Sequence, residues 1–255
     1  MRRVVSRQMS GDFTISRYRR LLDIAREVYT FSEYESAQDI GRGVFWRHDV
    51  DCSLNRALRL AAIEAEVGVS ATYFLNPHSE FYNLLEKSQA DIVLRILALG
   101  HRIGLHFDAA FHELTEESRL DELVACEAGW LESWFGVRPV AFSFHNPTEF
   151  LLKCDADRYG GLVNCYSAFF RNEVGYCSDS NGYWRFRPLE EVLAQAREPR
   201  LQVLTHPEWW QEEEMPPRDR IVRCVQGRAK AVLENYDAGL AASGRRNIGL
   251  PDDEG

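Results

Sequence analysis

The chain has 255 residues, 45% of them hydrophobic and 12% aromatic, enough for one large α/β domain with a substantial core. A net charge of −9 argues against nucleic acid as the main partner, and no apolar run approaches the ~20 residues that cross a bilayer. Arg2 and Arg3 are followed by no apolar secretory segment, and six scattered cysteines without a CxxC pair read as reduced, mostly core thiols, so a soluble cytoplasmic protein is expected.

Helical periodicity runs from about Ile15 to Tyr29, with Leu21, Leu22, Ile24 and Ala25 on one face. The apolar run Gly43-Val44-Phe45-Trp46 then reads as a buried strand that ends in Arg47-His48-Asp49-Val50-Asp51, five residues of which four are ionisable. A helix over 54–67 follows, capped by Ser53 and stopped by Gly68. Ser70 to Leu75 forms a second strand, and a helix near Ala90–Leu99 closes at Gly100. Arg102-Ile103-Gly104-Leu105 leads into His106, and a long amphipathic segment spans 116–135 up to Gly136. Val140 to Phe144 delivers His145, while 161–166 and 175–179 are two weaker strands. Leu201 to Leu204 delivers Thr205-His206, and a terminal helix covers about 219–240.

Repeated strand-then-helix units predict a parallel sheet or barrel rather than a sandwich. Asp49, Asp51, His106, His145, Asp179 and His206 all fall at the C-terminal ends of predicted strands. Reacting groups collect at that edge in parallel α/β folds, open or closed. Asp51, His106 and His145 form an oxygen/nitrogen/nitrogen ligand set, and three protein ligands with one open position is the pattern of a catalytic zinc. Asp49 beside them suits a general base, and His206 from another strand suits the acid that protonates a leaving amine. Together they suit hydrolysis of an amide.

These residues resemble a known family. In order along 18–247, Arg47-His48-Asp49-Val50-Asp51, Gly100-His101-Arg102-Ile103-Gly104-Leu105-His106 and Leu204-Thr205-His206 are similar to motifs of the polysaccharide deacetylases, carbohydrate esterase family four. Pro207-Glu208-Trp209-Trp210 is similar to the divergent branch found in bacterial surface-polysaccharide (O-antigen, lipopolysaccharide) biosynthesis. The resemblance implies a distorted, incomplete (β/α) barrel, here a single domain over 12–247 with flexible termini at 1–11 and 248–255. It implies Asp49 as base, His206 as acid, and Asp51 and His106 as ligands of a divalent metal, zinc first among them. Tyr176 to Ser180 with Trp184-Arg185 looks like the family's substrate-pocket motif, which implies Asp179, Trp184 and Arg185 as substrate-binding residues. The chain departs from the family in two places. The second metal histidine is replaced by Ala110, and the arginine of an Arg-x-Pro motif by His145; the two changes are linked if His145 supplies the missing ligand, with Asp108 and His112 as competitors.

The expected activity is removal of an acetyl or formyl group from an N-acylated amino sugar that is free, nucleotide-linked or lipid-linked. A catalytically silent barrel that binds glycan or a biosynthetic partner, and a deacylase of a non-sugar amide, are the alternatives. Asp49-Val50-Asp51 on its own also suits a helix N-cap with a surface acid. A phosphatase of the haloacid dehalogenase type fits less well, since Arg47-His48 interrupt the apolar strand. His78 and His101 are expected to be structural and His112 solvated. Trp209-Trp210 reads as packing, and Glu212-Glu213-Glu214 as a charged loop. Arg171, Arg185 and Arg187 suit either a diphosphate or pairing with the acidic excess.

Overall fold

The computed structural model describes residues 13–248. The expected flexible termini therefore lie outside the described residues, except for Ile248. In chain order the elements are α1 (Ile15–Val28), β1 (Thr30–Phe31), β2 (Gly43–Val50), α2 (Leu54–Val67), β3 (Thr72–Leu75), α3 (Lys87–Ala98), β4 (Arg102–Phe107), α4 (Leu120–Phe135), β5 (Ala141–Phe144), β6 (Arg158–Tyr159), β7 (Leu162–Asn164), α5 (Ala168–Glu173), β8 (Gly175–Ser178), α6 (Leu189–Gln195), β9 (Arg200–Thr205) and α7 (Pro217–Ala242). Ser53 caps α2 by accepting from the Arg56 amide, and Gly68 ends it in the left-handed region at φ 81°. The short elements β1, β6, α5 and α6 carry too few residues for a periodic signal, and the sequence reading passes over them. All six cysteines are free, four of them buried. Among the described residues no helix is long and apolar enough to cross a membrane.

Nine strands form one sheet in the order β6-β7-β5-β4-β3-β2-β9-β8, with β1 added beside β2. Every pairing is parallel except β6 with β7. The C-terminal ends of the parallel strands thus share one edge. The sheet path is open at β6 and β8, yet it curls enough for side chains to meet across its concave face. The Tyr34 hydroxyl donates to Gln202 Oε1 at 3.0 Å, and Gln202 Nε2, on β9, donates to the Cys165 carbonyl just after β7. An α/β fold with an incomplete barrel is the result.

Alternation along each strand divides the core in two. Phe45, Phe74, Ala141, Val163 and Cys165 fill the concave side together with Tyr34 and Phe170. A Cβ on Gly104 would come within 2.5 Å of the Phe74 ring, so the glycine leaves room for that ring inside the barrel. The convex side is larger, and there Val44, Trp46 and Val50 pack beneath Tyr18, Leu22, Ala57, Leu60 and Ala61 of α1 and α2. His48 has the same parity as these residues and points outward. It meets Glu64 of α2 at 2.6 Å. Tyr73 donates to the same carboxylate at 2.6 Å, Tyr18 also donates to it, and Trp46 Nε1 donates to the Tyr18 oxygen at 2.9 Å. Burial alone would raise the Glu64 carboxyl, but His48, with His101 and the Tyr18 hydroxyl, holds it below the usual carboxylate value. His101 is structural, as expected: its Nε2 donates to the Ala61 carbonyl and its Nδ1 accepts from the Ala71 amide.

Removing Glu64 leaves a buried histidine and two buried hydroxyls without their shared acceptor. Glu64→Ala is expected to lower unfolding free energy by about 3–5 kcal/mol in urea titrations. A loss below ~1 kcal/mol would show that apolar packing alone holds α2 on the sheet.

Candidate metal centre and active site

The parity that sends His48 outward sends Arg47, Asp49 and Asp51 inward. His106 on β4 and Ser143 on β5 are register partners, so their side chains meet on the same concave face. His145 follows β5 directly, its amide donating to the Phe107 carbonyl at 2.8 Å. His206 follows β9 in the same way.

Three donor atoms converge here. His106 Nε2 lies 3.1 Å from Asp51 Oδ1, His145 Nδ1 lies 3.5 Å from the same oxygen, and the two nitrogens are 3.1 Å apart. A tetrahedral ion with bonds of about 2.0–2.1 Å needs ligand atoms about 3.3 Å apart, so the triangle fits. Asp51 Oδ1 is buried, and neither histidine meets it with hydrogen-bond geometry. His106 Nδ1 donates to Ser143 Oγ at 2.7 Å, which fixes the tautomer with the Nε2 lone pair free for a metal. Ser143 Oγ in turn donates to Asp49 Oδ1 at 3.3 Å, linking His106 to the neighbouring carboxylate. His145 Nε2 is 2.9 Å from the Asn146 side-chain amide, which orients the ring. Asp108 and His112 do not join this group. Asp108 Oδ1 instead accepts from the Ala110 and Phe111 amides in a local turn, and His112 binds Glu127.

Asp49 is paired with Arg47, whose Nη2 donates to its Oδ2 at 2.8 Å, with both side chains buried. The guanidinium also sits over the rings of Phe74 and Tyr166, at 5.3 and 5.4 Å. Burial alone would raise the Asp49 carboxyl, but Arg47, with His106 and His206, holds it below the usual range. Asp51 is lowered as well, since His106 and His145 outweigh its burial. Sequence reasoning missed Arg47 and Ser143 as partners of Asp49. The signal for Arg47 was present, because a residue two positions before Asp49 on a strand must share its face.

His206 Nδ1 donates to Asp179 Oδ1 at 2.7 Å, and Asp179 Oδ2 accepts from the His206 amide and the Thr205 hydroxyl. Burial opposes charge on the ring, but the Asp179 carboxylate dominates and lifts the pKa to about 10. This leaves Nε2 protonated in the cleft, 3.8 Å from Asp51 Oδ2. The surrounding cleft, about 600 Å³, is lined by Tyr166, Tyr176, Asn181, Arg185 and Trp209 among others.

Of the three expected substrate-binding residues, Arg185 lines the cleft. Asp179 does not: it is fully buried, with both oxygens engaged by Thr205 and His206. Trp184 does not either; it stacks on Phe13, with centroids 5.2 Å apart, and lies beside Trp210. Trp210 is core packing as expected, whereas Trp209 reaches the cleft.

No family model and no curated protein matches the chain. Several solved structures are similar to it. A CE4 esterase of Streptococcus mutans is 15% identical with a TM-score of 0.46, over 87% of this chain and 92% of that one. A family 4 acetyl xylan esterase from Clostridium thermocellum, in complex with a cobalt ion, is 16% identical with a TM-score of 0.41, over 80% of this chain and 92% of that one. The chitin deacetylase of the fungal pathogen Colletotrichum lindemuthianum is 14% identical with a TM-score of 0.40, over 72% of this chain and 81% of that one.

The raised His206 pKa has a defined sign. The ion pair with Asp179 stabilises the fold fully below the ordinary histidine value of about 6.5, and its contribution is lost as pH rises through about 10. In metal-free protein the His206 ring proton signal in NMR should still report the charged form at pH 8. In Asp179→Asn the ring should titrate near neutrality, and an unchanged midpoint would refute control by Asp179.

Proposed function

We propose that the chain is a metal-dependent hydrolase that removes a small N-acyl group, acetyl or formyl, from an amino sugar. The observation that carries this reading is the Asp51–His106–His145 donor triangle, flanked by a tethered carboxylate and a protonated imidazole. Asp51 Oδ1, His106 Nε2 and His145 Nδ1 would hold the ion, and the mixed oxygen and nitrogen set suits zinc, with cobalt or nickel as chemical alternatives. A divalent ion bound there supplies Lewis acidity toward the acyl carbonyl and toward water.

The chain's own residues do the rest. Asp49, kept ionised by Arg47, accepts the proton of the attacking water. Arg47 and Ser143 fix the direction of its two oxygens, so the base is preorganised. Asp179 holds His206 charged, and the Nε2 proton goes to the amine nitrogen as the C–N bond breaks. Water and amide become a carboxylic acid and a free amine. Ser143 thereby connects ligand to base, so ligand position and base position move together.

The cleft supports a sugar. Its volume falls within the ~300–1,000 Å³ of small-molecule sites, and its lining mixes the aromatic Tyr166, Tyr176 and Trp209 with the polar Asn146, Ser180 and Asn181, a composition that suits a sugar's apolar faces and hydroxyls. Arg171 is committed to Asp155 and Arg187 to Gln195, whereas Arg185 stands on the cleft wall with no carboxylate within ion-pair distance among the described residues. We therefore assign Arg185 to the diphosphate of a nucleotide-linked or lipid-linked sugar. The surface-polysaccharide setting rests on the resemblance of Pro207-Glu208-Trp209-Trp210 to that branch, and precursor modification would place the protein in the cytoplasm.

Acetate and formate release should be followed with N-acetyl and N-formyl amino sugars, free and nucleotide-linked. Asp49→Asn is expected to retain metal and lose about 10²–10⁴-fold in turnover. Asp51→Ala should lose the metal itself, by elemental analysis. Full turnover by Asp49→Asn, or wild-type protein that takes up no metal at the triangle, would reject the reading in favour of a silent binding barrel.

A further inference from the structure

A second convergence of metal-ligating groups lies outside the barrel, and the mechanism above does not use it. His78 sits three residues beyond β3, His112 five residues beyond β4, and Glu127 midway along α4. Their donor atoms lie within 4.8 Å of one another. His78 Nε2 is 2.8 Å from Glu127 Oε1, and His112 Nε2 binds that same oxygen. The other oxygen, Oε2, is buried and has no hydrogen-bond partner among the described residues. Glu127 as a whole is 0% exposed.

We propose that His78, His112 and Glu127 form a second divalent-cation site of the type that takes zinc. Two imidazoles crowd one carboxylate oxygen while its twin is buried and unmatched, a costly arrangement for hydrogen bonding alone. A cation among the three uses both nitrogens as lone-pair donors and satisfies the carboxylate at once. The rings are held in place for this. His78 lies face to face with Phe111 at 3.5 Å and meets Trp130 edge-on at 6.0 Å, while His112 stacks on Phe107 at 5.2 Å. Their side chains remain 11% and 13% exposed, which gives an ion an entry path and leaves a position for water.

The two sites share no residue, and they face opposite sides of the sheet. His106 points into the barrel, whereas its neighbour Phe107, against which His112 stacks, belongs to the convex core. An ion here would clamp the segments after β3 and β4 onto α4, next to the turn that Asp108 organises. The role is structural: the ion stiffens the strand ends from which the catalytic edge extends.

The test uses full-length Asp51→Ala protein, in which the first site is disabled. Equilibrium dialysis against zinc, and visible absorption after loading with cobalt, should find one bound equivalent and a raised melting temperature. Adding Glu127→Gln or His112→Gln should abolish both the equivalent and the thermal shift, with circular dichroism confirming the fold. The His112 variant keeps the test decisive if loss of Glu127 prevents folding. Asp51→Ala protein that binds no ion, or binding indifferent to both added variants, would overturn the proposal. If wild type and Asp51→Ala both bind one equivalent that Glu127→Gln removes, the second site stands and the first fails.

Discussion

The paired charges of β2 organise this molecule, because one fully buried strand carries ionisable groups on both faces and each face must neutralise its own. Outward, His48 is answered by Glu64 of α2. Inward, Asp49 is answered by Arg47 two residues earlier on the same strand. The first pair fastens the helical layer to the sheet and the second sets the charge of the concave face. Neither arrangement tolerates a shift of register, since a slip by one residue would move every charge to the side lacking its partner. The chemistry of the cleft and the attachment of α2 therefore depend on the same pairing of β2 between β3 and β9.

A buried Arg–Asp pair is an expensive way to hold two side chains, and packed apolar residues would give as much stability. What the pair supplies is a carboxylate that stays ionised while almost sealed from water. The rings of Phe74 and Tyr166 on which the guanidinium rests help it remain charged there. Asp179 does the same for His206 with opposite sign. The cleft thus holds an anion and a cation whose charges are set by partners placed behind them, on different strands. Such a division suits acid and base work at one pH.

Much of this was legible in the sequence. The apolar runs and their stops marked β2, α2, β3, β4, α4, β5, β9 and α7 closely, because each is long or sharply bounded by a cap, a glycine or a charged terminus. Asp49, Asp51, His106, His145 and His206 came together because all five follow apolar runs, and parallel strands deliver their ends to one edge. The misreadings concern contacts between distant segments. Trp184 stacks on Phe13, a partner 171 positions away in the chain, and nothing local announces it. Asp179 faces His206 because β8 pairs with β9, a topological fact with no local signature. His112 is turned from the cleft by the Asp108 turn, and its true partner is a glutamate in a helix whose periodicity only marks Glu127 as buried.

The loop beyond β4 and the end of β5 hold their side chains in different ways. Ala110, four residues after His106, lies in the loop beyond β4, the stretch that Asp108 folds into a tight turn. His145 comes instead from the neighbouring strand end, with its backbone bonded to Phe107. A ligand carried at a strand terminus inherits the rigidity of the sheet, whereas a loop ligand depends on the loop. That loop places His112 on Phe107 and beside Glu127, on the convex side, while His145 at the end of β5 stays with Asp51 and His106 on the concave side.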